Sequence, residues 1–197
     1  MNRELAEIVC IIDRSGSMEA IRSDAIGGFN AFLREQKKRP GSAHLTLVLF
    51  DDQSDVVLDG VPLGEVLELT EETYVPRGMT ALLDAVGRTV DSVSIRLGET
   101  AQHDRPDTVI FAILTDGMEN ASREYTRDRV FHKISSHTKN NGWEFIFLAA
   151  NQDAIETGES MGIMGKRNIN FEATSDGVMH ACRLMSTEVS QRRSRSK

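Results

Sequence analysis

Two kinds of apolar run alternate along the chain, and their order sets the expected architecture. Ile8 to Ile12 is continuously apolar and ends in Asp13, as expected of a strand buried on both faces of a parallel sheet. Met18, Ile21, Ala25, Phe29, Phe32 and Leu33 follow at helical spacing and run out in Lys37-Lys38-Arg39 before Pro40 and Gly41, which is one amphipathic helix with a stop signal. Leu45 to Phe50 and Ser54 to Asp59 read as strands joined only by Asp51-Asp52-Gln53. That link is too short for a crossover, so the pair predicts an antiparallel hairpin at a sheet edge. Residues 60–79 hold apolar positions without a clean period, broken by Pro62, Gly64, Pro76 and Gly78, and predict a surface loop with a short turn of helix. Beyond Thr80, the positions Leu83, Val86, Val90, Val93 and Leu97 mark a helix face.

Thr108 to Thr115 is the most apolar strand of the chain, and it too ends in an acid, Asp116, followed by a glycine. Tyr125 to Asn141 suits a helix stopped by Gly142, and Trp143 to Ala150 another buried strand. A short helix from Asn151-Gln152-Asp153 to about Gly162, a short strand from Asn168 to Phe171, and a final helix with Val178, Cys182, Met185 and Val189 on one face complete the order. Strands separated by helices predict a layered α/β sheet, because parallel neighbours require helical crossovers. Ligands of such sheets bind beyond the carboxyl ends of the strands, where strand order reverses. Both acid-terminated strands would deliver their carboxylates to that edge.

Length narrows this to one unit: 197 residues with 40% hydrophobic content suit a single domain, placed at 1–190, with 191–197 as a basic, disordered tail. No run approaches the roughly 20 apolar residues of a membrane span, and Glu4 and Glu7 stand where an export signal would be basic. The expectation is therefore a cytoplasmic protein, with Cys10 and Cys182 as buried thiols. A net charge of −7 argues against a nucleic-acid-binding body. The exception is the end, where Arg192, Arg193, Arg195 and Lys197 could touch nucleic acid or an acidic partner; the remaining chain holds 19 basic against 30 acidic residues.

The candidate chemistry lies at the two acid-terminated strands. Asp13, Ser15 and Ser17 stand at alternate positions in a tight loop, so a carboxylate and two hydroxyls can converge. With Thr80 at a helix start and Asp116 on the neighbouring strand, five hard oxygen donors could surround a small divalent cation, directly or through water. Magnesium suits them best, with its preference for octahedral oxygen coordination at about 2.0–2.1 Å, and manganese nearly as well.

These residues resemble the metal-ion-dependent adhesion site (MIDAS) of the von Willebrand factor A domains. Asp13, Ser15 and Ser17 match its D-x-S-x-S, Thr80 in G-M-T-A-L-L-D-A its threonine, and Asp116 in I-L-T-D-G its second aspartate. The resemblance covers nearly the whole chain and is closest to small stand-alone prokaryotic members. It implies a doubly wound, Rossmann-like α/β fold with a mostly parallel central sheet, one antiparallel edge strand and helices on both faces. It also implies a metal that captures an Asp or Glu of a protein partner, in a module that can serve as an adaptor in a larger assembly. In relatives the serines touch the metal, and the threonine and second aspartate exchange between direct and water-mediated contact.

Each residue also has a plainer reading, since serines and threonines cap helices and strand-end aspartates make turns. A magnesium-dependent, phosphatase-like hydrolase with Asp13 as nucleophile is an alternative function. It lacks a second acid at position 15, which is Ser, and a lysine at a strand end. A metal-free scaffold is a further alternative. Asp51 and Asp52 read as hairpin-turn residues, Glu119 and Asn120 as solvated loop, His132 and His137 as helix surface, and Arg14 and Arg77 receive no role.

Overall fold

A computed structural model describes residues 5–150 and 153–194. Six strands form one sheet: β1 (Leu5–Asp13), β2 (Ser42–Phe50), β3 (Ser54–Pro62), β4 (Thr108–Thr115), β5 (Glu144–Ala150) and β6 (Asn168–Phe171), in the order β3-β2-β1-β4-β5-β6. All neighbours are parallel except β2 and β3, the hairpin at one edge. The helices are α1 (Arg22–Lys38), α2 (Leu82–Glu99), α3 (Arg127–Asn141), α4 (Ala154–Ser160) and α5 (Ser175–Ser194). The expected start of α4 at Asn151-Gln152 lies outside the described residues.

Strand alternation divides the core in two. Ile8, Cys10 and Ile12 of β1 face Phe29, Phe32 and Leu33 of α1 and Val178 and Met185 of α5. Val9 and Ile11 face the other way, towards Val86 and Val90 of α2 and Val130 and Ile134 of α3. A strand covered on both faces has no polar side to show, which explains the continuous apolar runs of β1 and β4. The order reverses between β1 and β4, one leading outwards to β2 and the other to β5, so their carboxyl ends flank the crevice where such sheets bind ligands.

Three expectations change. Residues 60–79 hold the expected short helical turn, a 3-10 turn at Leu63–Glu65, but are not a surface loop throughout: β3 extends to Pro62, and Leu63, Val66, Leu69 and Tyr74 are buried against the α1 face of the sheet. Their burial follows no period because a loop, rather than a helix or strand, carries them inward. The start of the first helix is a 3-10 turn, Gly16–Ile21, before α1 proper. Third, α5 runs on to Ser194, so the fold extends past the expected boundary at 190. Arg192 is buried and pairs with Glu144 at 2.9 Å and with Glu188 one turn back. Arg193 donates to the Gln36 carbonyl at 2.8 Å and the Gly41 carbonyl at 3.3 Å, holding the last turn of α1. Two of the four basic side chains assigned to a free tail thus serve inside the fold, while Arg195 and Lys197 lie outside the described residues. Cys10 and Cys182 are both buried and unbridged. Among the described residues no helix is long and apolar enough to cross a membrane.

Candidate metal centre

β1 and β4 end side by side, and the two polar loops that leave them meet. Asp13 is the last residue of β1 and has no exposed surface. Its Oδ1 accepts from the Ser15 backbone N–H at 2.7 Å, which folds the loop back over the carboxylate, and its Oδ2 accepts from Thr115 Oγ1 at 2.5 Å. Ser15 Oγ and Ser17 Oγ are 3.1 Å apart, and Ser17 Oγ donates to Asp116 Oδ1 at 2.7 Å. A chain of hydrogen bonds therefore runs from Thr115 through Asp13, Ser15 and Ser17 to Asp116, its Asp13–Ser15 link made by the Ser15 backbone N–H. Asp13, Ser15 and Asp116 are buried, whereas Ser17 is exposed, so the cluster opens to solvent on the Ser17 side.

Thr80 joins from a third segment. Its carbonyl accepts from Asn120 N at 3.0 Å and Ala121 N at 3.2 Å, and its own N–H donates to Asn120 Oδ1 at 2.9 Å. Its hydroxyl lies against Gly117: a Cβ placed there would come within 2.9 Å of Thr80 Oγ1. The structure thus brings Thr80 beside the residue that follows Asp116, and all five candidate side chains lie at one end of the β1–β4 crevice.

The electrostatics fit a cation. Burial pushes the Asp13 carboxyl up to about 6, with the charge of Asp116 adding to the rise, against the hydrogen bonds from Thr115 and Ser15. Burial also raises Asp116, against the hydrogen bond from Ser17. Among the described residues neither carboxylate has an ion-pair partner, so two acids share a low-dielectric corner without a counter-charge. The donors are two carboxylates and three hydroxyls, and no cluster of three or more His, Cys, Asp or Glu suited to a metal occurs among the described residues. Hard oxygens of this kind suit Mg²⁺ or Mn²⁺ on ligand type.

Several neighbours were not legible beforehand. Tyr74, expected in a surface loop, is fully buried and donates from its hydroxyl to the Asp13 carbonyl at 2.6 Å. Burial, with the charges of Asp13 and Asp116 adding to it, holds its phenol well above the usual range. Glu119 is not solvated loop: it accepts from Leu83 N, Ala121 N and Ser122 N at 2.8–3.1 Å and caps the start of α2. Asp84 accepts from the N–H groups of Arg123, Glu124 and Tyr125 at 2.7–2.9 Å and shapes the loop after Asp116. Asp51 is not a simple turn residue either, being fully buried between Arg14 and Arg77. A G-M-T-A-L-L-D-A stretch that returns an acid four residues after its threonine was the one available signal for Asp84. His132 is exposed, and His137 stacks on Trp143 with ring centres 4.0 Å apart, away from the cluster.

No family model matches the sequence, and no curated protein does. Solved structures match in fold. The proximal thread matrix protein 1 of the mussel byssus, in a form described as having a zinc-occupied MIDAS motif, superposes with a TM-score of 0.62 at 14% identity, over 94% of this chain and 46% of that one. A von Willebrand factor type A protein from Catenulispora acidiphila gives 0.54 at 17% identity, over 91% and 41%. The vWF domain of the type V pili tip protein Mfa5 from Porphyromonas gingivalis gives 0.63 at 11% identity, over 93% and 94%. The chain spans less than half the length of the first two and nearly all of the third. On topology and superposition together, this chain has the von Willebrand factor type A fold.

Proposed function

We propose that the chain is a divalent-metal-dependent protein-binding module that captures an Asp or Glu side chain of a partner protein. The observation that carries this reading is the pair of buried, unpaired carboxylates, Asp13 and Asp116, joined by Ser15 and Ser17 into one cluster that opens to solvent at Ser17. Asp13, Ser15 and Ser17 would hold Mg²⁺ or Mn²⁺, with Thr80 and Asp116 as the pair that alternates between direct and water-mediated contact. The cation supplies positive charge for an incoming carboxylate. A site with three hydroxyls and only two carboxylates leaves more of that charge for the partner than an all-acid site would.

The chain's own residues do the rest. Ser15 N–H and Thr115 Oγ1 keep Asp13 from turning away, and Tyr74 fixes the backbone beneath it. The zinc-occupied MIDAS described for the mussel protein supports a divalent metal at a site of this type; the oxygen donors here favour magnesium. The buried, unbridged cysteines accord with a reducing, cytoplasmic setting. Such a module is an adaptor in a larger assembly rather than an enzyme.

Calorimetric titration with Mg²⁺ and Mn²⁺ of the intact protein and of Asp13→Ala tests the metal. Binding by the first and none by the second is expected, and no uptake by the intact protein at millimolar metal would leave a metal-free scaffold. Selection from a random-peptide library, in Mg²⁺ and in chelator, tests the partner. Asp- and Glu-bearing peptides should be enriched only with metal, and enrichment indifferent to chelator removes the carboxylate-capture reading.

A further inference from the structure

We infer that Asp51, whose side-chain hydrogen bonds go to Arg14, Arg77 and Gln53 and not to the five candidate ligands, holds the Thr80 loop in register with the Asp13–Ser17 loop, and that the cation affinity of the site depends on it. The inference rests on the metal-binding reading above.

The site is assembled from segments far apart in the chain, and something must fix their spacing. Asp51 follows β2 directly and has no exposed surface. One oxygen, Oδ2, accepts from Arg14 Nε at 2.9 Å and from Arg77 Nε at 2.8 Å, while Oδ1 accepts from Gln53 N at 2.7 Å. Arg14 lies between Asp13 and Ser15, and Arg77 stands three residues before Thr80. One carboxylate therefore clasps both metal-binding loops. Its backbone grips the second loop again from the far side, the Asp51 carbonyl accepting from Ala81 N at 2.8 Å. Thr80 is thus bracketed by two attachments to a single residue.

Main-chain contacts show how close the two loops run. Arg77 N donates to the Arg14 carbonyl at 2.9 Å, and Gly16 N to the Gly78 carbonyl at 3.2 Å. Gly78 takes a positive φ of 65°, and a Cβ there would sit 2.0 Å from Asp52 Oδ1, so only glycine lets this loop lie against the hairpin. Asp55 completes the clasp by accepting from the outer nitrogens of both arginines. Two guanidiniums are matched by two carboxylates, and neither arginine adds net repulsion to a cation nearby.

The burial of the members differs, which makes the inference testable. Arg14 is enclosed, with a side chain 8% exposed, so loss of Asp51 leaves a buried charge with only the half-exposed Asp55 to offset it. Arg77 is 52% exposed and tolerates replacement without a comparable threat to folding. Residues that orient a ligand from behind change metal affinity by about 10–100-fold when removed.

The experiment is titration with Mg²⁺ and Mn²⁺ of the intact protein, Asp51→Asn, Arg77→Gln, Arg77→Lys and Arg34→Gln. The last breaks the exposed pair between Arg34 on α1 and Glu68 and serves as the control. Each is followed by water-proton relaxation of bound Mn²⁺, which rises when a protein oxygen leaves the ion and water replaces it. Asp51→Asn should lose roughly 10–100-fold in affinity and Arg77→Gln about tenfold, both with raised relaxation. Arg77→Lys should recover part of the loss, and Arg34→Gln should match the intact protein. If Asp51→Asn does not fold, Arg77→Gln decides alone. Unchanged affinity and relaxation in a folded Arg77→Gln, with metal uptake by the intact protein, overturn the clasp and leave the metal site standing. No uptake by the intact protein overturns both.

Discussion

Asp13 and Asp84 are both aspartates shut away from water, with 0% and 6% of their surface exposed, yet their surroundings push them in opposite directions. Burial tends to raise the Asp84 carboxyl, but three backbone N–H groups, from Arg123, Tyr125 and Glu124, outweigh it and hold the group below the ordinary carboxylate range. Asp13 is raised by burial and by the charge of Asp116, and the hydrogen bonds from Thr115 and Ser15 do not outweigh them. On the proposed metal-binding reading, the difference separates a staple from a ligand. Asp84 already has in the loop after Asp116 the hydrogen bonds that its charge requires, whereas Asp13 lacks them, and the proposed cation would supply the difference. On that reading, a functional carboxylate shows as an incomplete solvation shell and a structural one as a complete shell.

The contrast can be broken most directly at Asp13. Asp13→Asn keeps the shape and removes the charge, so Mg²⁺ affinity should fall by more than about 100-fold, or ~3 kcal/mol, while stability in chelator at pH 7 stays level or rises. Calorimetry and urea unfolding measure the two halves. A chelated Asp13→Asn less stable than the intact protein would show that Asp13 is a staple after all. Asp84→Ala should do the reverse. It orphans three N–H groups and should cost about 3–4 kcal/mol in urea unfolding, with metal binding weakened only as far as the Asp116 loop loosens.

Acidity sharpens the same comparison. The folded Asp13 carboxyl titrates near 6 against 3.8 for the ordinary group. The folded chain therefore holds this proton more tightly than the unfolded one. The stabilisation is complete below 3.8 and is lost as pH rises through 6, by about 3 kcal/mol in chelator. Asp84 has the opposite sign, its contribution being present above 3.8 and lost as pH falls below that value. Urea midpoints in chelator from pH 4.5 to 7.5 should decline for the intact protein relative to Asp13→Asn. Added Mg²⁺ should raise the melting temperature more at pH 7.5 than at pH 5, because metal and proton compete for one carboxylate. The smallest effect belongs to Tyr74→Phe, which removes the hydroxyl from the Asp13 carbonyl and should cost about 1 kcal/mol, with a two- to threefold change in metal affinity.

What was legible in the sequence follows the range of each interaction. Thr108 to Thr115 and Asn168 to Phe171 were bounded correctly because burial on both faces and the flanking polar residues are local signals. Asp13, Ser15, Ser17, Thr80 and Asp116 were legible as candidates because each lies close to the end of an apolar run, and the first three fall at alternate positions. Asp51 was not, since Asp51-Asp52-Gln53 reads as a turn whether or not two arginines close on it. Asp84 looks like any acid in the first turn of a helix until the loop at 123–125 folds over it. Arg192 and Arg193 read as a tail because their partners Glu144 and Gln36 lie elsewhere in the chain. Composition reports a charge, and only the fold reports its counterpart.

The β1–β4 pairing also carries a consequence for the order of assembly. The hydrogen bond from Thr115 to Asp13 spans 102 residues, and the β1–β4 register joins the first strand to the fourth in parallel. Contacts of such separation form slowly, after hairpins and helices. The hairpin of β2 and β3 and the helices should thus form early in refolding, while the cluster exists only once the sheet has closed at its centre. In a stopped-flow experiment, uptake of Mn²⁺ would then coincide with the slowest phase, making the ion a reporter of the moment when the two halves of the chain meet.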